Sequence, residues 1–156
     1  MNLSVSNPSS TLIDAARRRL PPVIRASVHY YNSEAEIDRL IAALGAAGRR
    51  VEILVHACSI GAEVWSLAMH LAEAWPDFDF HIDATDISAG FVQFAQNGLY
   101  PRQIVDHLAP AEQACFDLLP DGRASVKAAI RGRVDFLAPA SFVEFEPGGR
   151  YDVVSL

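Results

Sequence analysis

Two short segments of the chain contain residues whose types and spacing suit a nucleotide-like ligand. The apolar run Val51–His56 is followed shortly by Gly61, and a helical pattern begins directly after this glycine. A strand that turns into a helix in this way presents backbone N–H groups and a helix N-terminus to a cleft. A second apolar run ends on Asp86, whose carboxylate is placed to accept hydrogen bonds from the two hydroxyls of a ribose. The two segments together predict a site for an adenosine-containing ligand.

The same turn also fits a relaxed nucleophile elbow of the form A-x-S-x-G, in which Ser59 would be the nucleophile. Such a hydrolase needs a later histidine as its base. His70 falls in the adjoining predicted helix and His81 in the next predicted strand, so neither is well placed. We therefore favour ligand binding over nucleophilic catalysis for this turn.

Composition limits the remaining function classes. With 156 residues, 51% hydrophobic content and 21% charged residues, the chain is expected to form about one globular domain. Its net charge of −6 argues against a nucleic-acid partner. No apolar run approaches the ~20 residues that cross a bilayer, and no signal peptide is visible, so we expect a cytoplasmic protein without membrane insertion. His56 and Cys58 would face a core from one strand, so no metal site is expected.

Hydrophobic periodicity predicts the elements that position these residues. We expect a flexible tail at residues 1–10, helices within residues 11–48 and an α/β core at residues 49–156. Alternating strands and helices favour a mainly parallel sheet. The expected helices are Thr11–Leu20, one from Ser33, Ala62–Ala74, Ala89–Asn97 and Ala109–Leu118; the expected strands are Arg50–His56, Phe80–Thr85, one or two within Val126–Phe136, and Tyr151–Leu156.

Three motifs in this order resemble one known family. The segments Ala57–Met69 (ACSIGAEVWSLAM), Ala84–Ser88 (ATDIS) and Gly98–Arg102 (GLYPR) are similar to the GCSTGEEPYSLAM, ATDIS and GIYPER motifs of CheR-type methyltransferases. The resemblance covers most of the chain. It implies a Rossmann-like class I methyltransferase sheet, S-adenosylmethionine as cofactor, and methylation of glutamate side chains on a chemoreceptor or other signalling protein.

The resemblance also implies roles for particular residues. Ala57 and Gly61 would let the backbone approach the methionyl part of the cofactor, Glu63 would meet its ammonium group, and Asp86 would bind its ribose. Arg102, in the segment similar to YPER, would face an acidic protein substrate. No catalytic side chain is implied.

Several positions depart from the family pattern. Ala26, Val28 and Asn32 stand where the family has Asn, Thr and Arg, and Ala140-Ser141 stands where it has an Asn-Leu pair near the adenine. Each lost polar contact weakens binding by about 1–3 kcal/mol. We therefore expect cofactor binding to be weak or lost and methyl transfer to be weak or absent in this 156-residue chain.

Two further expectations concern the partners of the chain. A non-catalytic signalling or scaffolding module derived from the methyltransferase fold is the alternative function. The sheet is expected to be truncated after its fourth core strand, Tyr151–Leu156, which would leave an apolar edge exposed. Such an edge favours self-association through that strand.

Overall fold

The computed structural model describes residues 2–6, 23–27, 34–46, 48–141, 145 and 151–155. The chain forms two compact units, Met1–Ala46 and Ala47–Leu156. Along the chain the elements are β1 (Asn2–Ser6), β2 (Val23–Ser27), α1 (Glu34–Gly45), β3 (Val51–His56), α2 (Ala62–Ala74), β4 (Phe80–Thr85), α3 (Ala89–Asn97), β5 (Leu99–Pro101), α4 (Arg102–Val105), α5 (Pro110–Gln113), β6 (Phe116–Leu118), β7 (Arg123–Val126), α6 (Ala128–Arg131), β8 (Val134–Phe136) and β9 (Val153–Ser155).

The first unit contains a two-stranded antiparallel sheet and one helix. Strand β1 pairs with β2, with Asn2 opposite Ser27 and Ser6 opposite Val23. This pairing differs from the flexible tail predicted for residues 1–10 and from the purely helical segment predicted for residues 11–48. The N-terminal segment NLSVS alternates polar and apolar residues, which suits a strand despite its Ser and Asn content. Helix α1 starts and ends where its capping pattern predicts, whereas the predicted helix Thr11–Leu20 lies outside the described residues.

The second unit is built on a four-stranded parallel sheet with the order β8-β4-β3-β9. Val51 lies opposite Phe80 in the pairing of β3 with β4, and Ile53 lies opposite Val153 in the pairing of β3 with β9. The predicted Rossmann-like sheet is therefore confirmed, including the expected position of the last strand beside the first. Strand β9 is the fourth of this sheet in chain order.

The two faces of this sheet differ in polarity. Ile53, Phe80 and Ile82 are buried on one face, and α2 and α3 contact β4 and β8 respectively. The opposite face carries half-buried polar side chains near the start of the central strands, among them His81 and Asp83. Strand β4 therefore alternates between apolar and polar residues, as a strand does when only one of its faces is fully covered.

An antiparallel sheet with the order β5-β7-β6 lies between α3 and β8 in the chain. The helix predicted at Ala109–Leu118 is wrong in its second half, where Phe116–Leu118 pairs with β7. Helix α5 covers only Pro110–Gln113. The predicted strand region Val126–Phe136 holds the end of β7, the short helix α6 and strand β8. Short-range periodicity could not detect the pairing of β6 because its partner strand lies further along the chain.

None of the helices in the described part of the chain is long and apolar enough to cross a membrane.

Candidate functional site

The loop between β3 and α2 forms the centre of the candidate site. Its backbone has positive φ angles at Ala57 (61°), Ser59 (49°) and Gly61 (81°), whereas Cys58 and Ile60 do not. Three N–H groups of the loop are engaged within the fold: Cys58 donates to the carbonyl of Thr85, Ser59 donates to the carboxylate of Asp86, and Gly61 donates to the carbonyl of Cys58. Two of the three left-handed residues are not glycine, so surrounding contacts must hold the loop in this conformation.

Asp86 supplies the strongest of these contacts. Its Oδ2 accepts a hydrogen bond from the backbone N–H of Ser59 at 2.9 Å, and its Oδ1 accepts one from the N–H of Ser88 at 2.9 Å. The residue is only 7% exposed. Asp86 therefore joins the ends of β3 and β4, as the adjacent strand ends predicted. The side chain of Ser88 caps α3 by accepting a hydrogen bond from the N–H of Phe91.

Gly61 has a packing role that the motif alone did not reveal. A Cβ atom at this position would lie 2.7 Å from the Cβ of Ala95 in α3, which is closer than real side chains approach one another. The positive φ angle at Gly61 adds strain for any other residue. The predicted reason for glycine was access for the ligand, but the structure shows that the hydrogen atom of Gly61 faces a neighbouring helix. Its contact with the cofactor stays a prediction.

Glu63 lies in the first turn of α2, on the other side of the loop from Asp86. Its carboxylate is exposed, and Oε1 accepts a hydrogen bond of 2.9 Å from the hydroxyl of Ser155 in β9. The sheet order β4-β3-β9 places Asp86 toward β4 and Glu63 toward β9. Glu63 therefore contacts the strand on one side of β3, and Asp86 follows the strand on its other side.

Two aromatic residues attach the loop to the surrounding elements. The buried hydroxyl of Tyr100 donates to the carbonyl of Ile60 at 2.8 Å, and the indole N–H of Trp65 donates to the carbonyl of Ala95 at 3.2 Å. Burial raises the pKa of Tyr100 to about 12, which keeps it a neutral donor. Trp65 was expected to pack in the core, and its 3% exposure confirms this. The role of Tyr100 was missed, although it belongs to the GLYPR motif.

Cys58 is buried beneath the loop and is not a reactive thiol. Burial raises its pKa to about 11, and the negative charge of Asp86 adds to this effect. At neutral pH the thiol is protonated and acts as a small apolar group. The expected burial of Cys58 is confirmed, whereas Cys115 is half-buried.

The segment after β8 runs along the tip of β4, where the resemblance places the adenine contacts. The N–H of Ala140 donates to the carbonyl of Asp86 at 3.1 Å, and Thr85 Oγ1 donates to the carbonyl of Ala138 at 2.9 Å. This segment therefore lies directly beside Asp86. Ala140 has no polar side chain for a base, so any adenine hydrogen bond made at this position must come from the backbone.

The remaining positions that the resemblance singled out are Arg102 and three residues near the N-terminus. Arg102 starts α4, is exposed, and forms an ion pair with Asp106 in which Nε and Oδ2 are 3.5 Å apart. Ala26 lies in β2 of the first unit, and Val28 and Asn32 lie outside the described residues. The loss of cofactor contacts that the sequence predicts at these three positions therefore stays a prediction.

The polar face of the sheet holds a separate cluster of ionisable groups. His81 Nε2 lies 3.4 Å from Asp83 Oδ1 and 3.2 Å from Asp135 Oδ2, and Tyr151 donates to Asp83 Oδ2 at 2.7 Å. His81, Asp83 and Asp135 are a possible set of metal ligands, since their ligand atoms lie within 4.8 Å of one another. Ion pairing with a protonated imidazole explains the same distances. Burial raises the pKa of Tyr151, and its hydrogen bond to Asp83 adds to this effect.

Comparison with known proteins identifies one family and two similar proteins. The family described as CheR methyltransferase, SAM binding domain, matches residues 23–156. Chemotaxis protein methyltransferase 1 of Pseudomonas aeruginosa is 34% identical over 126 residues, which cover 76% of this chain and 45% of that protein. Chemotaxis protein methyltransferase 2 of Vibrio cholerae is 32% identical over 93 residues, which cover 57% of this chain and 32% of that protein.

The chain thus spans less than half the length of the curated relatives it matches. The family match includes the β3–α2 loop, Asp86 and the segment after β8, and the family's domain takes S-adenosylmethionine as its cofactor. By this match the chain belongs to the CheR methyltransferase family, through the S-adenosylmethionine-binding domain of that family.

Proposed function

We propose that this chain is the cofactor-binding part of an S-adenosylmethionine-dependent methyltransferase that acts on glutamate side chains of a chemoreceptor or related signalling protein in the cytoplasm. The observation that carries the proposal is the position of Asp86 and Glu63 on opposite sides of the β3–α2 loop. The ribose of S-adenosylmethionine lies between its adenine and its sulfonium, and its ammonium group lies at the amino-acid end; when bound, the molecule supplies an activated methyl group. The two carboxylates match the ribose and the ammonium group.

Each residue has a defined task in this site. Each oxygen of Asp86 accepts one backbone N–H, which leaves a second acceptor position for a ribose hydroxyl. Glu63 would pair with the ammonium group, and the N-terminus of the 13-residue helix α2 favours the carboxylate of the same amino-acid group. The left-handed backbone at Ala57 and Gly61 shapes the loop that would run beneath the reacting centre. These residues bind and orient, and no side chain among them takes a proton.

The protein that accepts the methyl group is supported by fewer observations than the cofactor. Both curated relatives are named chemotaxis methyltransferases, which supports a signalling protein as the substrate. The exposed guanidinium of Arg102 favours an acidic segment near the substrate. Self-association through β9 stays a prediction.

Calorimetric titration of the chain with S-adenosylhomocysteine tests cofactor binding. We expect measurable but weak binding, because Ala140 lacks a polar side chain for the adenine. Transfer of labelled methyl groups from S-adenosylmethionine to the cytoplasmic domain of a chemoreceptor tests the activity. Binding without transfer would favour the non-catalytic signalling module, and absence of binding would contradict the proposed function.

A further inference from the structure

We infer that Ser155 is a positioning residue that fixes the Glu63 carboxylate for the amino-acid end of the cofactor, and so selects ligands that carry an ammonium group. The inference rests on the proposed function, since it assigns a partner to a residue of the same site. Its basis is the 2.9 Å hydrogen bond from Ser155 Oγ to Glu63 Oε1.

The direction of this hydrogen bond is set by chemistry. An ionised carboxylate only accepts, so the hydroxyl of Ser155 must donate. One oxygen of Glu63 is thereby engaged, and the other remains for a cation. The bond to the hydroxyl does not neutralise the charge of Glu63, in contrast to an ion pair with Arg or Lys. Ser155 therefore orients Glu63 without competing with an ammonium group.

Glu63 needs such a partner because it is exposed. A glutamate side chain that is held in one conformation loses rotamer freedom, which costs free energy. Where no neighbour restricts the side chain, the ligand must bear this cost when it binds. Ser155 restricts it beforehand from a different element, because β9 pairs with β3 and Ser155 lies opposite Val55. A preorganised carboxylate binds more tightly than a mobile one.

A pair of ligands separates this role from a general effect on the fold. S-adenosylhomocysteine carries the amino-acid group, whereas 5′-methylthioadenosine has the same adenosine and thioether without it. We expect Ser155→Ala to weaken binding of S-adenosylhomocysteine by about 3- to 10-fold and to leave binding of methylthioadenosine unchanged. Ser155→Thr keeps the hydroxyl and should bind both ligands like the original chain. Ser125→Ala removes a half-buried strand serine elsewhere and is the matched control.

A double substitution tests whether Ser155 acts through Glu63. If it does, Ser155→Ala combined with Glu63→Gln should bind S-adenosylhomocysteine no more weakly than Glu63→Gln alone. Additive losses, or equal losses for the two ligands, would overturn the positioning role while leaving the proposed function intact. If the unaltered chain binds neither ligand, the proposed function fails and this inference fails with it.

Discussion

Asp86 and Glu63 are both carboxylates at the same edge of the sheet, yet their environments differ. Asp86 is 7% exposed and accepts two backbone N–H groups from the loop and from the start of α3. Glu63 is exposed and accepts from one side-chain hydroxyl. The first carboxylate is therefore part of the fold as well as of the proposed site. The second joins α2 to β9 through a single hydrogen bond, and its proposed role is to bind the ammonium group of the ligand.

The largest effect is expected at Gly61, which supports the loop between the two carboxylates. Gly61→Ala should lower the free energy of unfolding by about 2–4 kcal/mol, because the new methyl group adds a clash with Ala95 to the strain of a positive φ angle. Gly122→Ala is the matched control, since Gly122 has nearly the same φ (80°) but open space around it. It should cost about 1 kcal/mol. Urea denaturation measures both values, and equal losses would show that the approach to α3 is unimportant.

The next largest effect is the difference in stability between variants of the two carboxylates in the absence of ligand. Asp86→Asn should destabilise the chain by about 1–2 kcal/mol, because an amide offers only one acceptor oxygen and leaves one part-buried N–H without its carboxylate partner. Glu63→Gln should change stability by less than about 0.5 kcal/mol. Thermal and urea unfolding of the two variants provide the test. A similar loss in both would remove the distinction between the buried and the exposed carboxylate.

Binding of methylthioadenosine should show which of the two carboxylates recognises the ribose and which recognises the ammonium group. This ligand retains the ribose and lacks the ammonium group. Asp86→Asn should weaken its binding by about 10-fold, equivalent to about 1.4 kcal/mol, whereas Glu63→Gln should leave it unchanged. Titration must be done below the melting temperature of the less stable variant. If Glu63→Gln weakens binding of methylthioadenosine as much as Asp86→Asn does, Glu63 does not recognise the amino-acid end of the cofactor.

The smallest effect concerns Cys58, whose pKa is raised chiefly by burial and further by the negative charge of Asp86. The pKa of the folded thiol is about 11 against an ordinary 9.0, so the unfolded thiol ionises first as pH rises. The stabilising contribution of the neutral thiol is complete below pH 9 and is lost as pH rises through 11. Cys58→Ala should therefore lose less stability than the original chain between pH 9 and pH 11. Unfolding curves across this range test the sign, and identical pH dependence in the two chains would contradict it.

Much of the fold could be predicted because it depends on local patterns. Apolar runs of strand length followed by amphipathic helices predicted β3, α2, β4 and α3 close to their observed bounds. The short strand β6 was mistaken for helix, since its stabilising partner is β7 and three residues carry no clear period. Strand β1 was missed for a similar reason, because the polar composition of NLSVS concealed its pairing with β2.

The sequence predicted which motif residues belong to the candidate site, but not the contacts that hold them in place. Asp86 and Gly61 could be located because the end of a parallel strand and the turn into a helix are visible in the chain itself. The hydrogen bond of Asp86 to Ser59, by contrast, depends on how two strand ends meet. Tyr100 and Ser155 were missed because each contacts a residue on a distant element.

By itself the sequence determined the alternation of strands and helices, the family, and the presence of carboxylates where a sheet ends. These properties depend on periodicity and residue type, which are local. The tertiary structure alone decided why position 61 must be glycine, that Asp86 braces the loop, and that a hydroxyl from β9 holds Glu63. Such contacts join residues 27 to 92 positions apart, and only the order of strands in the sheet brings them within hydrogen-bonding distance.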